Sequence, residues 1–148
     1  MKIIINEWQL RLIVENEEDS NLLDFTKFKH FDPNEWDDMF EHINNKKGGK
    51  YIGYYINGDV DLEKYNVNKL NYLVIVGGRL YLRHTPIKLL PMLSYVGASL
   101  DLYGSQIKSL PDGLSVGGYL DLGDTPLSEV TTIEELRDTI KVKKSIFL

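Results

Sequence analysis

The side chains that could do chemistry in this sequence are few and poorly spaced for it. Asp38 and His42 would stand one helical turn apart, with Glu35 and Glu41 beside them, and such groups could hold a divalent cation. A metal site on protein ligands needs at least a third group from another element, and none is evident. Acid near a helix start and histidine near its end also suit the helix dipole without any metal. A solvated helix face is therefore the reading adopted for them. His30 and His84 stand alone. No Ser or Thr sits in a Gly-x-Ser-x-Gly or comparable nucleophile setting. The chain has no cysteine, which removes thiolate nucleophiles, thiolate zinc sites and disulfides together. Its Gly-Gly pairs lack the Gly-Lys-Ser/Thr ending of a phosphate loop. Asp61, Asp101 and Asp121 invite a paired-carboxylate mechanism, but their regular spacing fits the solvent side of a repeated strand better. The run from Glu15 to Asp19 reads as an exposed loop. No catalytic residue, metal ligand or cofactor is assigned, and the chain is expected not to be an enzyme.

The strongest signal is an internal repeat. Val76, Val96 and Val116 are 20 residues apart, each followed by Gly-Gly or Gly-Ala and then by Leu-x-Leu. Ile56-Asn-Gly-Asp-Val-Asp-Leu is a weaker copy one period upstream. Six columns hold over four units. Ile56, Val76, Val96 and Val116 lead. A small column follows (Gly58, Gly78, Ala98, Gly118). The pair Val60, Leu80, Leu100, Leu120 and Leu62, Leu82, Leu102, Leu122 comes next. Val67, Ile87, Ile107, Leu127 and Leu70, Leu90, Leu110, Val130 close the unit. Leu-x-Leu has period two, so both leucines face one side of a short strand. One such strand cannot bury that face alone, whereas stacked copies bury it against each other. The small column marks a place where a side chain would meet the next copy or where the backbone bends tightly. A hydroxyl column (Thr85, Ser105, Thr125) is placed to bond the backbone as the chain leaves each strand. Pro86 and Pro126 stiffen the exit turn, and Pro91 and Pro111 end the second apolar stretch.

If the leucines point inward, three columns point outward. They are Asp59, Arg79, Ser99, Tyr119; then Asp61, Tyr81, Asp101, Asp121; then Glu63, Arg83, Tyr103, Gly123. Tyr and Arg are the types enriched where proteins bind one another. The expected partner-binding set is Arg79, Tyr81, Arg83, Asp101, Tyr103, Tyr119 and Asp121, on one flat patch.

These repeats resemble the leucine-rich repeat family. In the third unit the match is Leu100-Asp-Leu102, Ser105, Ile107 and Leu110-Pro111; in the fourth it is Leu120-Asp-Leu122, Thr125 and Leu127. The 20-residue period and the Leu-Pro step look like the short bacterial subclass of secreted effectors. The Val-Gly-Gly-x-Leu-x-Leu-x-x-Thr form also resembles repeat proteins of bacteriophages. The resemblance covers residues 56–135. It implies an α/β repeat fold, a short parallel β-solenoid of about four coils, built to bind. Two departures stand out. Gly replaces the first Leu of the motif, and Ser or Thr replaces its Asn, which points to a coil more compact than the usual horseshoe. The phage resemblance implies a second function: an acidic inhibitor of a host nucleic-acid enzyme or defence complex, of the anti-CRISPR kind. Its mimic of phosphate charge would be Glu35, Asp37, Asp38 and Glu41.

Both flanks read as covers for the array. Residues 1–55 form an N-terminal cap. In it, Trp8, Leu10, Leu12 and Val14 alternate as a half-buried strand. Asp32-Pro33-Asn34-Glu35 opens a helix over 33–44, with Trp36, Met39, Phe40 and Ile43 as its apolar stripe. Lys46, Lys47 and Gly48-Gly49 suit its end. Residues 56–135 are the four repeats and residues 136–148 a C-terminal cap. Thr132 and Glu135 form a capping box for a helix near 133–138. Ile140-Lys-Val142 falls one period after Leu120-Asp-Leu122 and is expected as the last strand, its edge guarded by Lys141, Lys143 and Lys144.

Composition narrows the partners. The chain of 148 residues is 43% hydrophobic and carries a net charge of −5, enough apolar material for a core and too little charge for disorder. Residues 1–55 hold seven Lys and Arg against eleven Asp and Glu, and the remainder ten against eleven. Neither part has the basic field that grips phosphate backbones, so direct nucleic-acid binding is not expected. No apolar run approaches the ~18 residues of a membrane span, and the start lacks the long apolar stretch of a signal peptide. The expectation is a protein partner in a cytoplasm, the host bacterium's if the chain is phage-encoded. The oligomeric state is open between a monomer and association through coil ends or strand edges.

Overall fold

The computed structural model describes residues 21–148. The expected strand at Trp8–Val14 and the loop Glu15–Asp19 lie outside the described residues. Strand β1 (Leu22–Asp24) leads into two single 3-10 turns, Thr26–Phe28 and Pro33–Glu35, and then helix α1 (Trp36–Lys46). The Asp32 carboxylate accepts the Asn34 N–H at 3.0 Å, with Pro33 next in line. That first turn is wound as 3-10, so the α-helix proper begins at Trp36 and not at Pro33. Trp36 and Phe40 are buried, and Met39 and Ile43 pack against the same core, as the apolar stripe requires. Gly48 and Gly49, at φ 68° and 75°, end the helix in the left-handed region. Asn44 then clamps the returning chain, bonding both the N–H and the C=O of Tyr51 at 2.8 Å.

From here the chain lays down strands in pairs. They are β2 (Gly53–Ile56), β3 (Val60–Asp61), β4 (Leu73–Val76), β5 (Leu80–Tyr81), β6 (Tyr95–Val96), β7 (Leu100–Asp101), β8 (Ser115–Val116) and β9 (Leu120–Asp121). Helices α2 (Pro126–Val130) and α3 (Ile133–Thr139) follow, and then β10 (Lys141–Val142) and β11 (Ile146–Phe147). The strands form two all-parallel sheets, six strands in the order β1-β2-β4-β6-β8-β10 and five in the order β11-β9-β7-β5-β3. Leu80 pairs with Leu100 and Leu100 with Leu120, so side chains 20 positions apart are direct cross-strand neighbours. One continuous core joins Phe25, Trp36, Ile56, the leucine columns, Val142 and Ile146. A smaller cluster of Leu22, Tyr55, Val74, Ile75 and Tyr95 lies on the other face of the first sheet. No helix among the described residues is long and apolar enough to cross a membrane.

The small column works at the corner between the two strands of each unit. Inter-unit bonds run straight through it: Gly97 N–H to Val76 C=O (2.9 Å), Ala98 N–H to Gly78 C=O (3.0 Å), Gly118 N–H to Ala98 C=O (2.9 Å). A Cβ on Gly97 would meet the Gly77 carbonyl, and one on Gly117 the Gly97 carbonyl. At this preceding column, Gly77, Gly97 and Gly117, backbones can stack this closely only without side chains, whereas the small column itself admits Ala98.

Some expectations are corrected and others extended. Ile140-Lys-Val142 does not continue the Leu120-Asp-Leu122 column. Val142 pairs with Val116 in the first sheet, and Ile146 pairs with Leu120 in the second. The last unit is longer because α2 and α3 are wound into it. Val130 is likewise 76% exposed and leaves its buried column, since it lies on α2 where the earlier units run extended. The capping box at Thr132 and Glu135 is present, but a second one, Thr125 with Ser128, starts α2 a few residues earlier. Finally, the last edge is closed by more than lysines. The Arg137 guanidinium donates to the carbonyls of Val142 (3.1 Å) and Lys144 (3.0 Å).

Candidate interaction surface

The outward face of the five-stranded sheet brings together most of the expected binding residues, though not as one flat patch. Asp101 is 4% exposed and Ser99 6%, so the middle of the face is recessed. Above this floor stands a connected cluster. Arg83 Nη1 lies 3.7 Å from Asp101 Oδ2, and the same guanidinium sits over the Tyr103 ring, 4.9 Å from its centroid. His84 meets that ring edge-on at 5.5 Å. The Tyr103 hydroxyl donates to Asp124 at 3.4 Å. Tyr119 is apart from the cluster, edge-on to Phe147 at 6.0 Å. Arg79 is exposed, Tyr81 and Asp121 are half-buried.

Glycines seat the aromatic side chains. A Cβ on Gly104 would run into the His84 ring, and one on Gly123 would stand 2.8 Å from Tyr103 Cδ2. His84 and Tyr103 therefore each pack over a glycine of the next unit. His84, Gly104 and Asp124 all have positive φ (56°, 69°, 58°) at 20-residue spacing, which gives the exit turn one shape in three units. The outward columns did not reveal His84, Asp124 or Phe147. For the first two the readable signal was their register with Gly104.

The Asp column has a structural duty. The Oδ1 atoms of Asp61, Asp101 and Asp121 accept the N–H two residues on, from Glu63 (3.1 Å), Tyr103 (3.1 Å) and Gly123 (2.9 Å). These are Asx turns that close the strand ends. Burial raises the Asp101 carboxyl above its ordinary pKa, against the opposing pull of the Tyr103 N–H and Arg83. The neighbouring column bonds between units: Asp59 Oδ1 accepts the Arg79 N–H (2.8 Å), and Ser99 Oγ the Tyr119 N–H (3.2 Å). The hydroxyl column bonds within its own unit. Thr85 donates to Leu82 C=O (2.8 Å) and Thr125 to Leu122 C=O (2.6 Å), while Ser105 Oγ accepts the Ile107 N–H (3.4 Å).

The acidic helix face is divided by the fold. Glu35 and Asp38 are exposed, and Asp38 is 3.6 Å from Lys69. Glu41, also exposed, accepts the Tyr72 hydroxyl at 2.7 Å. Asp37 is buried, accepting the Tyr54 hydroxyl (3.1 Å) and the Asn71 N–H (2.8 Å), and so cannot present charge to a partner. Burial first, and Asp37 second, hold the Tyr54 hydroxyl well above its ordinary pKa. Among the described residues no group of three or more His, Asp or Glu is gathered for a metal ion.

Compared with protein-family models, curated proteins and solved structures, the chain finds no match.

Proposed function

We propose that this chain is a non-enzymatic protein-binding module whose contact surface is the outward face of the five-stranded sheet. We read its units as turns of a short β-solenoid of leucine-rich-repeat type, with two strands per turn. The 20-residue strand register and the continuous core support that reading. The binding proposal rests on one observation: Tyr103 is held between the Arg83 guanidinium over its face and His84 at its edge, and both rings are seated on glycines, before any partner arrives. Side chains already held in place lose less freedom on binding, so more of their contact energy appears as affinity. Asp101 fixes Arg83 from below, and Arg79, Tyr81, Tyr119 and Asp121 extend the surface to either side.

The test is partner capture from the native host with Tyr81→Ala, Arg83→Ala and Tyr103→Ala combined. Capture should fall by ten-fold or more, since aromatic and Arg anchors each contribute about 2 kcal/mol at such sites. Unchanged capture would remove this face from consideration. An acidic, charge-mimicking inhibitor ranks second, because one of its four carboxylates, Asp37, is spent inside the fold. That reading requires binding to weaken steeply with salt and to depend on Glu35, Asp38 and Glu41.

A further inference from the structure

Among the described residues no strand pairs with the outer edge of β3, the last strand of the five-stranded sheet. Val60 N–H bonds Arg79 C=O (2.8 Å) and Leu62 N–H bonds Tyr81 C=O (2.9 Å). Backbone groups alternate sides along a strand, so the N–H and C=O of Asp61 point away from β5. Among the described residues neither has a hydrogen-bond partner. The six-stranded sheet is treated differently. At this end β1 carries its ladder one strand past β2, and at the far end Arg137 takes up the outer carbonyls of Val142 and Lys144. The β3 edge instead borders a cavity of about 220 Å³, between Asp59–Leu62 and the Lys29–His30 segment, with Tyr65 on its lining.

We propose that this slot binds an extended segment of a partner protein as an added strand, with basic side chains at alternate positions. The backbone chemistry fixes the mode: one donor and one acceptor on a strand edge, unpaired among the described residues, are what an extended peptide satisfies. The acidic row favours basic side chains opposite Asp61 and Glu63, because Lys29 and His30 on the facing wall already stand near the Asp59 end. Asp59, Asp61 and Glu63 point outward in a row beside the edge. Lys29 Nζ lies 3.7 Å from where a Cβ on Gly58 would stand, close to the Asp59 end. Asp61 and Glu63 have no ion pair among the described residues. Opposite charges facing each other across strands stabilise a pair, and the chain itself sets Arg79 and Arg83 on the other side of this row. This edge is separate from the aromatic face, and the inference stands without it.

The probe is a capped hexapeptide of alternating Arg and Val, added to the full-length chain and followed by amide NMR and calorimetry. Two control peptides accompany it: the same peptide N-methylated at every second amide, and an alternating Glu and Val peptide. The Arg peptide should slow exchange of the Asp61 amide and bind about ten-fold tighter than the N-methylated control, the worth of roughly one strand hydrogen bond, and tighter than the Glu peptide by the charge preference of Asp61 and Glu63. Asp61→Pro removes the outward N–H at an edge position that tolerates proline. Because it also removes the carboxylate, it is read against Asp61→Asn, which keeps the N–H: the Pro variant should bind about ten-fold more weakly than the Asn variant, while the melting temperature confirms the fold. Asp61→Asn with Glu63→Gln keeps the backbone and should lose only the preference for Arg over Glu. Equal binding of the N-methylated peptide, absence of binding, or shifts centred on Ile146 at the opposite edge would overturn the proposal. Tyr81→Ala and Tyr103→Ala should leave peptide binding unchanged, so failure at the edge is distinguishable from failure of the face.

Discussion

Asp37 and Asp38 are neighbours in sequence and have opposite roles. Asp38 is solvated beside Lys69, while Asp37 is buried and ties α1 to Tyr54 and to the Asn71 turn. Asp37→Ala leaves the Tyr54 hydroxyl and the Asn71 N–H unpaired, and should cost about 2–4 kcal/mol in denaturant unfolding. Asp38→Ala should stay within about 0.5 kcal/mol, as exposed pairs do. The sequence does not separate the two, because helical phase turns on which side the next segment packs. Asp101 gives a pH test. Its folded-state pKa lies above the ordinary value, so the folded chain holds this proton more tightly than the unfolded chain does. That contribution to stability is fully present below the ordinary carboxylate pKa and is lost as pH rises through the raised one. Asp101→Asn keeps an acceptor for the Tyr103 N–H. It should flatten the stability profile across that window, measured by thermal melts against pH.

At the scale of elements, the corner and the two ends decide which strands can form. Gly117→Ala would press a methyl group into the Gly97 carbonyl, and should destabilise by about 2–3 kcal/mol because backbone cannot move aside. Gly118→Ala differs, since its Cβ would meet the Ser99 hydroxyl. A Ser99→Ala partner mutation should restore part of the loss in a double-mutant cycle. The same comparison explains why Ala98 is tolerated in that column. The side chain below it is Arg79, which makes no such bond to the next unit, whereas Asp59 and Ser99 do. Arg137→Ala uncovers the carbonyls of Val142 and Lys144. Amide exchange should then accelerate at Lys141–Lys143 with little change at Leu100, and the freed edge should raise self-association seen by light scattering.

At the scale of the whole molecule, the leucine columns form one interior from Phe25 to Ile146. Leu100→Ala, in the middle, should cost about 3 kcal/mol and still unfold in one transition, since each strand pair is buried only by its neighbours. Much of this was legible beforehand. A period of 20 with side chains in fixed columns specifies parallel neighbours in register, because identical units bury identical faces only when stacked that way. Local chemistry also fixed the caps at Asp32 and Thr132. The sequence carried no sign of the longer last unit, which moves Val142 to one sheet and Ile146 to the other, because a single departure from a period has no second copy to reveal it. Nor could it tell which outward side chains stay outside. Burial of Asp101 and Asp37, the seating of Tyr103 over Gly123 and the slot between Asp61 and the Lys29–His30 segment depend on how close separate segments come. Those distances are set by the packing of the whole chain, whereas the repeat is set by the order of residues along it.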